Sequence, residues 1–185
     1  VALGSAFAED FLLQLGGGME VGWGRVTVED IYAWLPVHIY YRLITSRNKN
    51  TQRQMSNLVA QILDFLSSDG EGDATAVFAG HDTDLDGLAA VFDMAWEPTP
   101  YPTNATPPGS ILTFEVEKHA TSDTDPSVTV TYSTTQVVNT TGQLTTIPVS
   151  FPSGTNLVSL QRLRQLAAMR TDPDCVTPPH GKTKD

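Results

Sequence analysis

The sequence predicts a single α/β unit, and three observations carry that prediction. Amphipathic helical stripes alternate with short apolar or alternating runs along the 185 residues, with no internal repeat and no linker between two cores. Ala74-Thr75-Ala76-Val77-Phe78-Ala79 is short, apolar and closed by Gly80, the pattern of a buried strand. Directly after it, Leu85, Leu88, Ala89 and Phe92 recur at helical spacing. A strand-to-helix turn is therefore expected around His81, where free N–H groups and the helix dipole favour an anion.

The remaining elements follow in order. A helix is expected over Ser5 to Leu15, with an apolar face of Phe7, Phe11 and Leu15, ended by Gly16, Gly17 and Gly18. Thr27 is a good N-cap for a second helix running to about Ser46, with Glu29 and Asp30 in its first turn. Pro36 predicts a kink or break near Leu35. From Arg53 to Ser68, the stripe Met55, Leu58, Val59, Ile62, Phe65 and Leu66 predicts a third helix, closed by residues 69–73. Beyond the motif helix, Pro98 to Gly109 reads as a proline-rich loop. Phe114 and Val116 alternate with glutamates, and Val128, Val130 and Tyr132 with threonines, which predicts a hairpin across Thr121 to Pro126. Leu157 to Met169 is a last amphipathic helix, and residues 171–185 read as a loose tail. One strong buried-strand candidate cannot build a sheet covered on both faces. Neighbouring strands must come from elsewhere, and this chain alone is expected to expose a wide apolar face and fold poorly.

Composition narrows the partners. A formal net charge of −10 disfavours nucleic acid and anionic membranes, and no apolar run approaches the ~20 residues that span a bilayer. The same charge disfavours an anionic substrate, so an anion pocket must draw positive charge from elsewhere. Cys175 is the one cysteine, which suggests a partner in another segment or chain, or a free thiol in the tail. The sequons at Asn104 and Asn139 are glycosylation candidates and point toward the secretory route. No signal peptide opens the chain, as expected if Val1 lies inside a longer precursor.

The run Gly80-His81-Asp82-Thr83-Asp84-Leu85-Asp86-Gly87 supports competing chemistries. Asp82, Asp84, Asp86 and Gly87 fit the first positions of a calcium-binding loop, with Asp93 in the twelfth. Asp93 is shorter than the usual bidentate glutamate, and a strand rather than a helix is expected before the loop. A plainer reading has the aspartates capping the helix start and facing solvent. A third takes His81 and Asp82 as a phosphate ligand and a proton donor.

Phe78-Ala79-Gly80-His81-Asp82-Thr83 resembles the second signature of the histidine acid phosphatases, in particular the bacterial-type phytases. The block from Phe7 to Gln14, with Gly18-Met19 and Gly22 to Val26, is similar to a helix and turn of those phytases. Thr106-Pro107-Pro108-Gly109, with Leu112 and Phe114, resembles their following loop and strand. Order and approximate spacing agree, and the similarity fades after about Val138. Asp84 departs from the pattern, since asparagine is usual there. The family's N-terminal Arg-His-Gly-x-Arg-x-Pro motif, which carries its nucleophile, does not occur in this sequence.

What the resemblance implies is specific. The chain is expected to be the C-terminal half of a three-layer α/β phosphatase domain, a mixed sheet flanked by helices. It is incomplete without the N-terminal half, whether cleaved into a separate chain or not present. His81 would donate a hydrogen bond to phosphate, and Asp82 would protonate the leaving oxygen. Thr83, Glu9 and His38 would line the substrate pocket. No cofactor and no metal are implied. Inositol phosphates are the first expectation for substrate; a broad-specificity or sugar-phosphate acid phosphatase is the second. The family's arginines on the other half would supply the positive charge, and the location would be secreted or periplasmic. A degenerate paralogue that binds without catalysing, and an extracellular calcium-binding module, are the alternatives.

Overall fold

The computed structural model describes residues 1–46, 48–68, 74–117, 125–135 and 144–177. In chain order the elements are α1 (Ala2–Gly16), α2 (Val28–Ser46), α3 (Lys49–Gln54), α4 (Ser56–Ser67), α5 (Asp82–Phe92), β1 (Ile111–Glu117), β2 (Ser127–Thr135), β3 (Leu144–Pro148), β4 (Leu157–Ser159) and α6 (Leu160–Arg170). The expected α/β class holds, and every strand pairing among the described residues is antiparallel.

β2 is the spine of the sheet. β1 runs along one edge of it, with Ile111 opposite Ser133 and Glu117 opposite Ser127. β3 and β4 share the other edge end to end, β3 against residues 131–135 and β4 against 127–129. Strand alternation sends Val128, Val130 and Tyr132 to the buried face. There they join Val59 and Ile62 of α4, Val91 and Phe92 of α5, and Leu163 of α6 in the main core. Trp96 stacks on Tyr132 with ring centroids 4.8 Å apart. Both donate to the Ala105 carbonyl, Trp96 Nε1–H at 2.8 Å and the Tyr132 hydroxyl at 2.9 Å. The proline-rich loop is thereby tied to the core. A second cluster of Leu12, Ile31, Leu35, Ile39 and Tyr101 joins α1 and α2 to the same loop.

Several expectations are corrected. α1 buries Ser5, Ala8 and Leu12 most deeply, with Phe11 and Leu15 half-buried against the same cluster and Phe7 exposed. Its inward face is set by packing on α2, where Ser5 Oγ lies 3.1 Å from His38 Nδ1. Phe7 and Phe11 stack on the flank beside Trp34. Thr27 does cap α2: its Oγ1 accepts from the Asp30 N–H, while its own N–H donates to Asp30 Oδ2. α2 continues through Pro36 without a break. The third helix starts earlier than expected and divides at Met55 into α3 and α4. Residues 157–159 pair with β2, so the last helix starts only at Leu160, capped by Ser159 Oγ accepting from the Arg162 N–H. Residues 171–177 are anchored rather than loose. Arg53 meets Asp172 at 2.6 Å, and the Asp172 and Thr177 N–H groups donate to Ser56 and Asn57 side chains.

The buried strand expected at 74–79 is not formed. These residues lie outside any strand and are exposed, Val77 at 88%. A strand is completed by its neighbours' hydrogen bonds, and among the described residues none pairs with this segment. The expected hairpin is present as β1 and β2. Most of its turn, His119, Asn139, His180 and residues 178–185 of the expected tail lie outside the described residues.

α2 and α5 are joined by a buried ion pair, Arg42 Nη2 to Asp86 Oδ2 at 2.6 Å, with Asp86 2% exposed. Burial pushes the Asp86 carboxyl up to about 6, against the pull of the Arg42 guanidinium. The folded state thus holds this proton more tightly than the unfolded chain, whose carboxyl titrates near 3.8. That contribution to stability is complete below the unfolded value and lost as pH rises through the folded one. Relative to Asp86→Asn, the parent protein should lose about 2 kcal/mol of unfolding free energy between pH 4 and pH 7. Denaturant titrations at a series of pH values test this; a gain over that interval would mean that the guanidinium outweighs burial. Trp96→Ala should cost about 3–5 kcal/mol by the same method, and Trp96→Phe, which keeps most of the ring but not the N–H, distinctly less.

Candidate functional site

Three helices bring the site together, and α2 contributes most of it. Its inward face reads Ile31, Leu35, His38, Arg42 and Ser46, all buried. The first two feed the apolar core. The last three place polar groups at core positions, which is costly unless each finds a partner. Glu9 from α1 and Asp82 from the first turn of α5 face the same point. One ligand-type atom from each of Glu9, His38 and Asp82 falls within 4.8 Å of the others.

α5 begins as the motif predicts. His81 is the N-cap residue, with extended backbone, and its N–H donates to Asp84 Oδ2 at 2.7 Å. A Cβ on Gly80 would come within 2.6 Å of that same oxygen, so only glycine fits this close approach without displacing the cap. The carboxylate that departs from the family pattern is therefore held by a helix-start amide. Asp82 sits half-buried one residue on. Its Oδ1 accepts from the Thr83 N–H at 2.7 Å, and its Oδ2 lies 3.1 Å from Arg42 Nη1.

Arg42 is the residue that the sequence argument missed. Charge counting pointed to positive charge from outside this chain; the structure adds one buried guanidinium in direct contact with Asp82, its charge offset by Asp82 and Asp86. Arg42 is itself 7% exposed and held by Asp86 and by the Thr106 hydroxyl. Ser46 Oγ reaches the same Asp86 oxygen at 3.5 Å. The signal was present in the sequence, because His38, Arg42 and Ser46 continue the Ile31 and Leu35 stripe at helical spacing.

His38 Nδ1 lies 4.0 Å from Glu9 Oε2. Burial pushes the imidazole below its ordinary titration range, opposed by the Glu9 carboxylate. His38 is thus held toward the neutral form, able both to donate and to accept a hydrogen bond.

Glu9, His38, Arg42, His81, Asp82 and Thr106 border one open cleft of about 1280 Å³, together with residues 74–80 and β1. Of the site residues named from sequence, His81, Asp82, Glu9 and His38 are brought together. Thr83 does not border the cleft. It is exposed on α5, where its N–H serves the Asp82 carboxyl.

The calcium-loop alternative fails on geometry. The three aspartates lie within helix α5, not in a loop, and a non-helical segment precedes them. Asp82 and Asp86 both turn to Arg42, while Asp84 turns to the His81 amide. The Glu9, His38 and Asp82 trio has donors suited to a divalent cation, but the Arg42 charge 3.1 Å from Asp82 opposes one. The Asn104 glycosylation candidate is also corrected. Asn104 is buried, its Oδ1 accepts from the Trp96 N–H, and it takes the left-handed backbone that asparagine tolerates.

Known proteins similar to this chain include phytases. No family model matches the sequence. Phytase AppA of Escherichia coli (strain K12) is 33% identical over 129 residues, covering 62% of this chain and 29% of that protein. A Hafnia alvei phytase solved with tartrate superposes with a TM-score of 0.75 at 24% identity, over 95% of this chain and 49% of that one. A phytase from Klebsiella sp ASR1 gives 0.78 at 17% identity, over 100% of this chain and 50% of the other. At these identities the superpositions speak for the fold alone. The chain spans about half the length of these solved relatives and less than a third of the curated one. In sequence and in fold, the chain resembles the bacterial histidine acid phosphatase phytases over part of their length.

Proposed function

We propose that this chain is the C-terminal part of an acid phosphomonoesterase of the phytase type, with Asp82 as its proton donor. The observation that carries this reading is the position of the Asp82 carboxyl. It stands in an open cleft at a helix N-terminus, beside a buried guanidinium and a histidine, in a chain that resembles phytases. Phosphoryl transfer needs an in-line nucleophile, cationic groups around the equatorial oxygens and an acid at the leaving oxygen. This chain offers the acid. The nucleophilic histidine and further cations would come from an N-terminal half, on the same precursor or as a cleaved partner chain.

The reaction runs in two steps. The histidine nitrogen attacks phosphorus, the ester P–O bond breaks, and Asp82 gives its proton to the departing alkoxide. Water, losing a proton to the Asp82 carboxylate, then attacks the phosphohistidine and releases phosphate. His81, at the head of α5, would donate to a phosphate oxygen. Glu9 and His38 would contact substrate hydroxyls or phosphates across the cleft, and Thr83 would act through its backbone hold on Asp82. Inositol phosphates are the proposed substrates, and a secreted or periplasmic location fits the likeness. None of the helices among the described residues is long and apolar enough to cross a membrane.

The exposed segment 74–80 and the outer edge of β1 border the same cleft. Strands from the N-terminal half would pair there and cover Val77 and Phe78. Expressed alone, this chain should therefore aggregate or bind a hydrophobic dye strongly, and co-expression with the Arg-His-Gly segment should make it monodisperse. A cooperatively folding, monomeric chain on its own would contradict that. In the complete protein, hydrolysis of inositol hexakisphosphate at acid pH is expected. Asp82→Asn should lower kcat by roughly 100-fold or more with little change in KM. Undiminished turnover would remove Asp82 from the donor role.

A further inference from the structure

We propose that Arg42 is the positioning residue of the Asp82 carboxyl, with Asp86 and Thr106 fixing the guanidinium from behind. The inference rests on the donor reading of Asp82 and deepens it. Asp82 has two oxygens, and each has one assigned partner. Oδ1 is held by the Thr83 N–H of its own helix, and Oδ2 by Arg42 Nη1 at 3.1 Å. The first contact is local and fixes the carboxyl relative to α5. The second crosses to α2 and fixes it relative to the cleft.

Arg42 suits that task because it cannot swing. Its Nη2 is bound to Asp86 Oδ2 at 2.6 Å, its Nη1 also donates to Thr106 Oγ1, and its side chain is buried. Thr106 is itself placed by the Ala105 carbonyl next to it, which both Trp96 and Tyr132 grip. The guanidinium is thus anchored at once to α2, α5 and the proline-rich loop. A planar fork with several donors can hold two carboxylates in one fixed geometry, which a lysine ammonium cannot. The consequence is a proton donor with little rotational freedom, aimed where the leaving oxygen would stand. Orientation of this kind contributes to rate without contributing to ground-state binding.

The test uses the complete protein and two substrates that differ in leaving group. Glycerol phosphate releases an alkoxide that needs a proton. p-Nitrophenyl phosphate releases a stable phenolate that scarcely does. Arg42→Met alone strands the buried Asp86 carboxyl, so the double variant Arg42→Met/Asp86→Asn, which removes the cation and its ionisable partner together, is the principal probe. It should lower kcat/KM, which reports P–O cleavage and not the water step that both substrates share, by roughly 10-fold or more for glycerol phosphate but by less than about 3-fold for p-nitrophenyl phosphate. Arg42→Lys, which keeps the buried charge, should show the same selectivity at smaller amplitude. Adding Asp82→Asn to the double variant should bring the loss on glycerol phosphate to that of Asp82→Asn alone and no further, because the two act as a unit. Equal losses on both substrates would reduce Arg42 to a structural residue and overturn the proposal. A raised KM at unchanged kcat would overturn it too, by making Arg42 a phosphate ligand. Absence of leaving-group selectivity in Asp82→Asn itself would overturn the donor reading, and this inference with it.

Discussion

A single buried guanidinium organises this structure. Arg42 links α2 to α5 through Asp86, reaches the Asp82 carboxyl with one nitrogen and holds the proline-rich loop through Thr106. Removing a buried charge from water costs several kcal/mol, offset here by carboxylates on both terminal nitrogens of Arg42, though its buried Nε has no partner among the described residues. The site therefore cannot drift without disrupting the fold, and the α2–α5 junction cannot loosen without disrupting the site. A hydrophobic pair at these positions would close the junction as well. The charged one closes it and also contacts the Asp82 carboxyl.

The rest of the architecture serves this junction. Tyr132 of the central strand and Trp96 both clamp the Ala105 carbonyl, which carries the core's rigidity to the neighbouring Thr106. The Asp84 cap fixes where α5 starts, and so where Asp82 stands relative to α2. α1 leans on α2 through Ser5 and His38, bringing Glu9 to the cleft. Each link is local and short. Together they set two oxygens of one side chain.

Much of the fold could be read from the sequence wherever one face was buried and one was not. The α4 stripe, the Thr27 cap and the alternation of β1 and β2 are cases where a single period decides the structure. Reading failed where the deciding partner was distant. Phe11 and Leu15 of the expected α1 face do pack inward, yet α2 centres the buried face on Ser5, Ala8 and Leu12 and leaves Phe7 exposed. The apolar run at 74–79 has strand composition, but composition cannot supply the strands that would pair with it. Residues 157–159 followed a helical stripe until an open edge of β2 claimed them. At the site, His81 and Asp82 were legible because a short motif opens helix α5. Arg42 was passed over because a net charge of −10 turned attention away from its place on the α2 stripe. The contact between α2 and α5 shows what it holds.

The central claim is that Asp82, held by Arg42, faces the oxygen that leaves phosphorus. A crystal structure of the complete protein with vanadate, which mimics the five-coordinate phosphorus, addresses it directly. The account predicts a vanadate oxygen within about 3 Å of an Asp82 oxygen, with Arg42 still on Asp82 and Asp86. A vanadate bound elsewhere, or an Asp82 side chain turned away from it, would contradict the account.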